Sequence, residues 1–351
     1  MEKERQIVIG INGLGKLARQ AVKESMKERQ AGRIRIAAIN DMASPKDIAY
    51  LLKYDSAHGP YPGTVEARDN SIILDDTEIP VFNQPLPSKI PWGECSVEIV
   101  MEATGLFRKF RSEKGGLSDH LKDSVKYVIL TAPKESGDPD VKTIIMGVND
   151  AAIGEAKRNY RAISNASCTS NALLPMLKVM NDEFGIQYGF FETVHAYTND
   201  QDTIDSYHKK PRRGRTAGAN IVPSDTGAES VISDVLSSLS GRLMAYARRV
   251  PVQVVSSIDV FLTLGKKTSV EEINSVMKRA SGYFPRIIGY NPDEIVSGDL
   301  ITDNHSVVFM PDQTAVSKTQ KNVVTVSGFY NNERGYARRL TDLILTLDRA
   351  Q

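Results

Sequence analysis

Gly13-Leu14-Gly15-Lys16-Leu17-Ala18 lies between an apolar run at residues 6–11 and a helical stripe at residues 16–29. No other feature constrains the fold as tightly. The stripe places Leu17, Ala18, Ala21, Val22 and Met26 on one face, as an amphipathic helix requires. Ile34, Ile36 and Ala38 then alternate along a second strand, and Asp41 follows 23 residues past Ala18. A glycine turn that merely packs two elements would need neither the second strand nor the carboxylate. In this order the glycines let the backbone turn and approach a pyrophosphate, whose charge rests at the helix N-terminus. The carboxylate reaches the ribose hydroxyls. Gly13, Leu14, Gly15, Lys16, Leu17 and Asp41 are therefore the expected cofactor-binding residues, and the cofactor is a nicotinamide dinucleotide. A carboxylate at Asp41 repels a 2′-phosphate, which favours NAD over NADP.

Strand-like runs at residues 97–101, 127–130 and 143–146 extend the alternation and predict an α/β Rossmann domain with a parallel sheet. The character changes after about residue 165. Leu173, Met176, Leu177, Met180 and Phe184 form a helix face, and residues 257–264 and 322–328 alternate as long strands. Ser269 and Glu272 form a capping box ahead of Ile273, Met277 and Ala280. This half reads as an α+β catalytic domain with a mainly antiparallel sheet. The expected division is residues 1–167 for dinucleotide binding, completed by a C-terminal helix at 333–351, and residues 168–332 for catalysis.

Bulk properties narrow the function classes. The 351 residues balance 44 basic against 43 acidic side chains, so no net field draws the chain to nucleic acid or a membrane. No apolar run approaches the ~20 residues that span a bilayer. The N-terminus lacks the cationic end and apolar core of a signal peptide. Two distant cysteines, Cys95 and Cys168, suit a reduced, cytoplasmic protein. No metal site is expected.

Cys168 sits at the start of the second helix face, within Ser164-Asn165-Ala166-Ser167-Cys168-Thr169-Ser170-Asn171. Helix N-terminal amides and a nearby imidazole would both favour a thiolate, so from local sequence Cys168 reads equally as a nucleophile or as an inert core residue. Most unpaired cysteines are inert core residues, and Cys95 reads that way. His195 closes a strand, but local spacing does not show that it meets Cys168. His58, His120, His208 and His305 read as structural or surface residues. Lys209-Lys210-Pro211-Arg212-Arg213-Gly214-Arg215, with Thr226-Gly227 and Arg248-Arg249, fits a solvated loop, a nucleic-acid patch or a phosphate site.

Over essentially its whole length the chain resembles glyceraldehyde-3-phosphate dehydrogenase. The matching segments are residues 11–15, 53–59, 102–107, 164–171, 195–198, 223–228 and 330–336, in order. The cysteine segment is the most specific. The resemblance implies Cys168 as nucleophile and His195 as its base. It assigns Thr198 and Arg249 to the phosphate of the substrate, glyceraldehyde 3-phosphate. Ser167, Thr169, Arg215, Thr226 and Gly227 would take the attacking inorganic phosphate. Thr131, Asn332 and Tyr336 would lie at the nicotinamide. It further implies a homotetramer whose loop at about residues 197–222 reaches a neighbour's cofactor.

Several positions depart from the family pattern. Ala172 replaces a second signature cysteine, which should reduce off-pathway thiol oxidation. Ser206-Tyr207 replaces the Leu-Pro pair of strict NAD enzymes, so NADP stays open, and Tyr207 is also similar to the erythrose-4-phosphate dehydrogenase branch. Val252, Gln253 and Val254 alter the strand entering the substrate site, and Arg334 replaces an aromatic residue. The expected reaction is phosphorylating oxidation through a hemithioacetal and a thioester. The alternatives are a hydrolytic erythrose-4-phosphate dehydrogenase and a non-enzymatic binder, for example of RNA, on the same fold. Intact Thr226-Gly227 speaks against the first and near-zero net charge against the second.

Overall fold

The computed structural model describes residues 5–349. The chain divides into two compact units, one holding the residues up to 166 together with those from 337 onward, the other residues 167–336. No helix among the described residues is long and apolar enough to cross a membrane.

The first unit runs β1 (Ile7–Asn12), α1 (Lys16–Gln30), β2 (Ile34–Asn40), α2 (Pro45–Lys53), β3 (Val65–Ala67), β4 (Ser71–Leu74), β5 (Thr77–Phe82), β6 (Ile99–Glu102), β7 (Tyr127–Leu130), β8 (Val141–Thr143), α3 (Ile153–Asn159) and β9 (Ala162–Ser164). Its sheet has the order β3-β4-β5-β2-β1-β6-β7-β9-β8. The strands from β5 to β8 in that order pair in parallel, and β3, β4 and β5 add antiparallel strands at one edge. Because the chain leaves β1 to one side for β2 and later returns to its other side for β6, the order reverses at the carboxyl end of β1. Ligands of open α/β sheets bind at such a reversal. Ile9, Ile11, Ile36 and Ile39 are buried along the two central strands. Trp92, Val100, Val128, Leu130 and Ala162 anchor the adjoining core.

The run at residues 143–146 is not the strand its apolar character suggests. Pairing covers Val141–Thr143 and then stops. Asn149 accepts from the Ile145 amide at 2.8 Å and donates to the Thr143 carbonyl at 3.0 Å, and Gly147 turns the chain at φ +82°. Ile144 and Ile145 are apolar because they are buried, not because they pair.

The second unit runs α4 (Cys168–Phe184), β10 (Ile186–Ala196), β11 (Val222–Ser224), α5 (Ala228–Val235), β12 (Leu243–Val250), β13 (Ser256–Leu264), α6 (Val270–Tyr283), β14 (Ile288–Tyr290), β15 (Val307–Phe309), β16 (Ala315–Val316) and β17 (Val323–Tyr330). The sheet order is β11-β12-β10-β13-β17-β15-β14, with β16 on β17. Pairing is antiparallel except between β10 and β12 and between β14 and β15. Period-two alternation decides the faces. Ile258, Val260, Leu262 and Leu264 of β13 are buried, and α4, α5 and α6 pack within this unit. Tyr188, Met244 and Tyr246 stand exposed, and Phe190 stacks on Phe261 at 4.3 Å between ring centres. The last helix, α7 (Arg334–Arg349), begins as the second unit ends.

Candidate active site

The turn before α4 aims its first residue. Ala166 takes a left-handed φ of +52°, uncommon for a residue with a Cβ. Ser167 then caps the helix, its Oγ accepting from the Ser170 amide at 3.1 Å. Cys168 is the first helical residue. On β10, Phe191, Thr193 and His195 alternate onto the buried face. His195, the penultimate residue of that strand, meets the head of α4, with Nε2 3.4 Å from the Cys168 Sγ. Spacing along the chain left this meeting open. It is made by a 27-residue connection that reverses onto the sheet.

Arg249 arrives through register. It pairs with His195 across the parallel β10 and β12 strands, so both lie on the same face, while Arg248 points to the other side and pairs with Glu192. One Arg249 nitrogen donates to the Ala196 carbonyl at 3.2 Å and to Thr198 Oγ1 at 3.1 Å, and stands 3.3 Å from His195 Nδ1. The Ala196 carbonyl is nearer to Nδ1, at 2.7 Å. That contact places the imidazole proton on Nδ1 and leaves the Nε2 lone pair facing the sulfur.

Electrostatics here oppose the local features that favour a thiolate. Burial pushes the Cys168 thiol up, against the Arg249 charge and the Thr169 hydrogen bonds that pull it down. Burial and then Arg249 push His195 down to about 3. Both shifts favour the neutral forms over a thiolate–imidazolium pair. The helix head and imidazole alone favour the opposite direction for the thiol. Desolvation, invisible in a linear motif, outweighs them.

Tyr330 is a site residue that sequence reasoning missed. Its fully buried hydroxyl lies 3.0 Å from Thr169 Oγ1 and 2.8 Å from Thr193 Oγ1, and its ring stands edge-on to His195 at 6.0 Å. Thr193 Oγ1 donates to the Ser257 carbonyl, so it accepts from Tyr330, and Tyr330 in turn accepts from Thr169. This chain ties α4, β10, β13 and β17 together behind the sulfur. Tyr330 opens the segment at 330–336, but nothing in its spacing marked it.

The remaining expected residues are spread more widely. Arg215 is exposed and donates to Asp205 at 2.9 Å. Arg213 pairs with Asp200, and the charges of both bear on the Arg249 guanidinium. Thr226 and Gly227 precede α5, where Thr226 Oγ1 accepts from the Ala228 amide. Thr226 also lines a hollow with Glu192, Ser224, Tyr246 and Arg248. Asn332 Oδ1 accepts from the Val255 amide at 3.0 Å and from Ser256 Oγ at 3.3 Å, holding Val255 at a φ of +70°. Tyr336 is buried in the first turn of α7.

In the first unit, Asn12, Gly13, Leu14, Gly15, Asn40, Asp41, Gln84 and Thr104 line a hollow of about 400 Å³ at the carboxyl ends of the central strands. Lys16 and Leu17 open α1 beside it, and Thr131 follows β7, its amide bonded to the Glu102 carbonyl. The hollow fits a dinucleotide. Gly13 holds a φ of +86°, where a Cβ would strike Thr104, whereas Gly15 faces open space. Gly15 at the N-cap has no side chain to cap α1, and it lines the hollow, so the positive end of the helix lies where a pyrophosphate would sit. Asp41 accepts from the Leu14 amide at 2.5 Å and the Ala43 amide at 2.8 Å, which fixes the carboxylate at the rim.

Comparison with known proteins agrees with both halves of this description. Residues 7–110 match the family profile described as glyceraldehyde 3-phosphate dehydrogenase, NAD binding domain, and residues 167–332 match its C-terminal domain. The chain is 42% identical over 337 residues to a glyceraldehyde-3-phosphate dehydrogenase of Thermotoga maritima, covering 96% of this chain and 97% of that one. It is 40% identical over 339 residues to one of Borreliella burgdorferi, covering 95% and 98%. Identity to glyceraldehyde-3-phosphate dehydrogenase 1 of Trichormus variabilis is 41% over 345 residues, covering 97% of each.

Proposed function

This chain belongs to the glyceraldehyde-3-phosphate dehydrogenase family, and from that premise we propose that it oxidises D-glyceraldehyde 3-phosphate to 1,3-bisphosphoglycerate, using NAD and inorganic phosphate. The observation that carries the reading is the convergence of Cys168, His195, Arg249 and Thr198 within hydrogen-bonding reach of one another. Cys168 Sγ attacks the aldehyde carbon as its proton passes to His195 Nε2, a transfer that needs no prior ion pair. The Cys168 amide and the newly protonated Nε2 donate to the developing oxyanion. Bound NAD supplies a hydride acceptor. His195 passes the thiol's proton to the oxyanion, giving the hemithioacetal hydroxyl, and takes it back as the carbon loses hydride and the hemithioacetal becomes a thioester on Cys168. A phosphate oxygen then attacks the thioester carbon, the C–S bond breaks, and Cys168 leaves as thiolate.

Arg249 and Thr198 hold the substrate's own phosphate. Binding that dianion offsets the Arg249 charge that depresses His195, so the substrate itself raises the basicity of the imidazole. Ser167, Thr169, Thr226 and Gly227 serve the attacking phosphate; both arginines are carboxylate-paired, but the Arg213 charge bears on Arg249 whereas Arg215 is exposed, so Arg213 suits that anion better. Asp41 takes the adenosine ribose, and Asn332, Tyr336 and Thr131 the nicotinamide. The exposed sheet face around Tyr188, Met244 and Tyr246 suits self-association into a homotetramer. The two unpaired cysteines suit the reducing cytoplasm.

A spectrophotometric matrix tests the reading: glyceraldehyde 3-phosphate or erythrose 4-phosphate, NAD or NADP, with and without inorganic phosphate. The proposal requires the highest rate with glyceraldehyde 3-phosphate, NAD and phosphate together. A rate indifferent to phosphate would instead support the hydrolytic alternative.

A further inference from the structure

Beneath the first unit's hollow lies a hydrogen-bonded chain whose direction is fixed from both ends. Trp92 Nε1 can only donate, and it donates to His120 Nδ1 at 3.0 Å. The His120 proton therefore sits on Nε2, which donates to Glu102 Oε2 at 3.1 Å. At the other end the Gln84 amide donates to Asn40 Oδ1 at 2.8 Å. Asn40 Nδ2 must then donate, and it does so to Asn12 Oδ1 at 2.8 Å and the Gln84 carbonyl at 3.0 Å. Asn12 Nδ2 is thereby turned to Glu102 Oε2, which it reaches at 2.6 Å. Thr104 closes the arrangement, donating to Oε1 from its amide at 2.9 Å and from its hydroxyl. The same hydroxyl accepts from the Leu106 amide at 3.1 Å, so its proton goes to the carboxylate.

Asn12 Nδ2, His120 Nε2 and the Thr104 amide and hydroxyl converge on Glu102, which is completely buried, as are Trp92 and His120, while Asn12 and Asn40 are nearly so. Glu102 does not line the hollow. Asn12, Asn40, Gln84, Thr104 and Leu106 do. Thr104 is also the residue that a Cβ at Gly13 would strike, so its position shapes the glycine turn.

We propose that Glu102 is the positioning residue of the dinucleotide site: an acceptor-only group that sets the amide directions of Asn12 and Asn40 and seats Thr104 against the glycine turn. The proposal rests on reading the hollow as the dinucleotide site. A carboxylate is required because each of its oxygens meets donors from two directions. A glutamine amide would oppose N–H to N–H on one side. The conflict would turn Asn12, then Asn40, and end against the fixed Gln84 amide. His120 is the partner whose donor and acceptor ends carry the direction out to Trp92.

The experiment measures NAD dissociation constants by calorimetry, and Michaelis constants for NAD and aldehyde, in the full-length protein and three variants. Circular dichroism and titration of the Cys168 thiol serve as controls for folding. Glu102→Gln should weaken NAD binding and raise the NAD Michaelis constant by about tenfold or more. Its aldehyde Michaelis constant at saturating NAD should stay within about twofold. His120→Gln keeps an acceptor toward Trp92 and a donor toward Glu102, and should bind NAD within about threefold of the unaltered chain. His120→Leu, which breaks both bonds, should follow Glu102→Gln. A folded Glu102→Gln protein with unaltered NAD affinity overturns the proposal. So does equal weakening by His120→Gln and His120→Leu, which remains decisive if Glu102→Gln does not fold. Failure of the unaltered chain to bind NAD would instead overturn the dinucleotide reading beneath it.

Discussion

Replacing His195 with glutamine separates the base from the nucleophile. Nε2 stands 3.4 Å from Sγ, and Nδ1 is anchored on the Ala196 carbonyl at 2.7 Å. A general base so placed contributes roughly 10²–10⁴-fold, or about 3–5 kcal/mol of barrier. The pH dependence follows from burial and Arg249, which hold the imidazole at about 3. Above that value the Nε2 lone pair is free, so the wild-type acylation rate should show no inflection near the ordinary histidine pKa of about 6.5. Without the imidazole, the thiol must ionise unaided. Because burial raises it, the variant's rate should climb about tenfold per pH unit through neutrality. Stopped-flow absorbance of the first-turnover NADH reads both effects. Equal rates in the two proteins, or a wild-type inflection near 6.5 that disappears in the variant, would refute the reasoning. Folding is linked to the same shift. A histidine with a depressed folded pKa binds fewer protons folded than unfolded, so its contribution is complete above about 6.5 and is lost as the pH falls toward 3. Between pH 7 and about pH 4.5, wild type should lose about 2.5 kcal/mol more unfolding free energy than His195→Gln, the slope reaching about 1.4 kcal/mol per unit below about pH 6.5.

Tyr330→Phe strands the buried Thr169 hydroxyl, and should lower stability by about 1–3 kcal/mol in denaturant titration and slow phosphate-dependent turnover while leaving NAD affinity unchanged. Gly13→Ala forces a Cβ into Thr104 at a left-handed φ, so calorimetry should show NAD affinity falling with a stability loss of at least about 1 kcal/mol. Arg213→Leu should raise the Michaelis constant for inorganic phosphate by about tenfold or more, as expected for a lost charge-assisted contact, whereas Arg215→Leu should change it little. The reverse ranking would return the anion to Arg215.

The glycine turn was readable because its meaning is local. Strand, turn, helix and carboxylate follow one another, and the chain builds β1, α1, β2 and Asp41 in that order. The long alternations at residues 257–264 and 322–328 were equally plain, since period two survives wherever one face is buried. What depended on register was not readable. Nothing near His195 says that it faces Cys168, or that Arg249 rather than Arg248 shares its face, until β10 and β12 are paired. Arg213 and Arg215 are two residues apart in one basic run, and only their partners Asp200 and Asp205 separate them. The helix head that favours a thiolate at Cys168 is local and readable, whereas the burial that opposes it comes from the folded surroundings and is not. His120 read as structural, and the sequence could not reveal its place in a directed chain because the direction comes from Trp92 and Gln84, distant in sequence.

The central claim is that Cys168 carries the acyl group until phosphate removes it. Mixing the protein with glyceraldehyde 3-phosphate and NAD in phosphate-free buffer, followed by intact-mass and peptide analysis, tests it most directly. The account predicts a burst of NADH close to one per site, an acyl adduct on the Cys168 peptide and none on the Cys95 peptide. Steady turnover should begin when phosphate is added. Sustained turnover without phosphate, or NADH formation with Cys168 unmodified throughout, would contradict it.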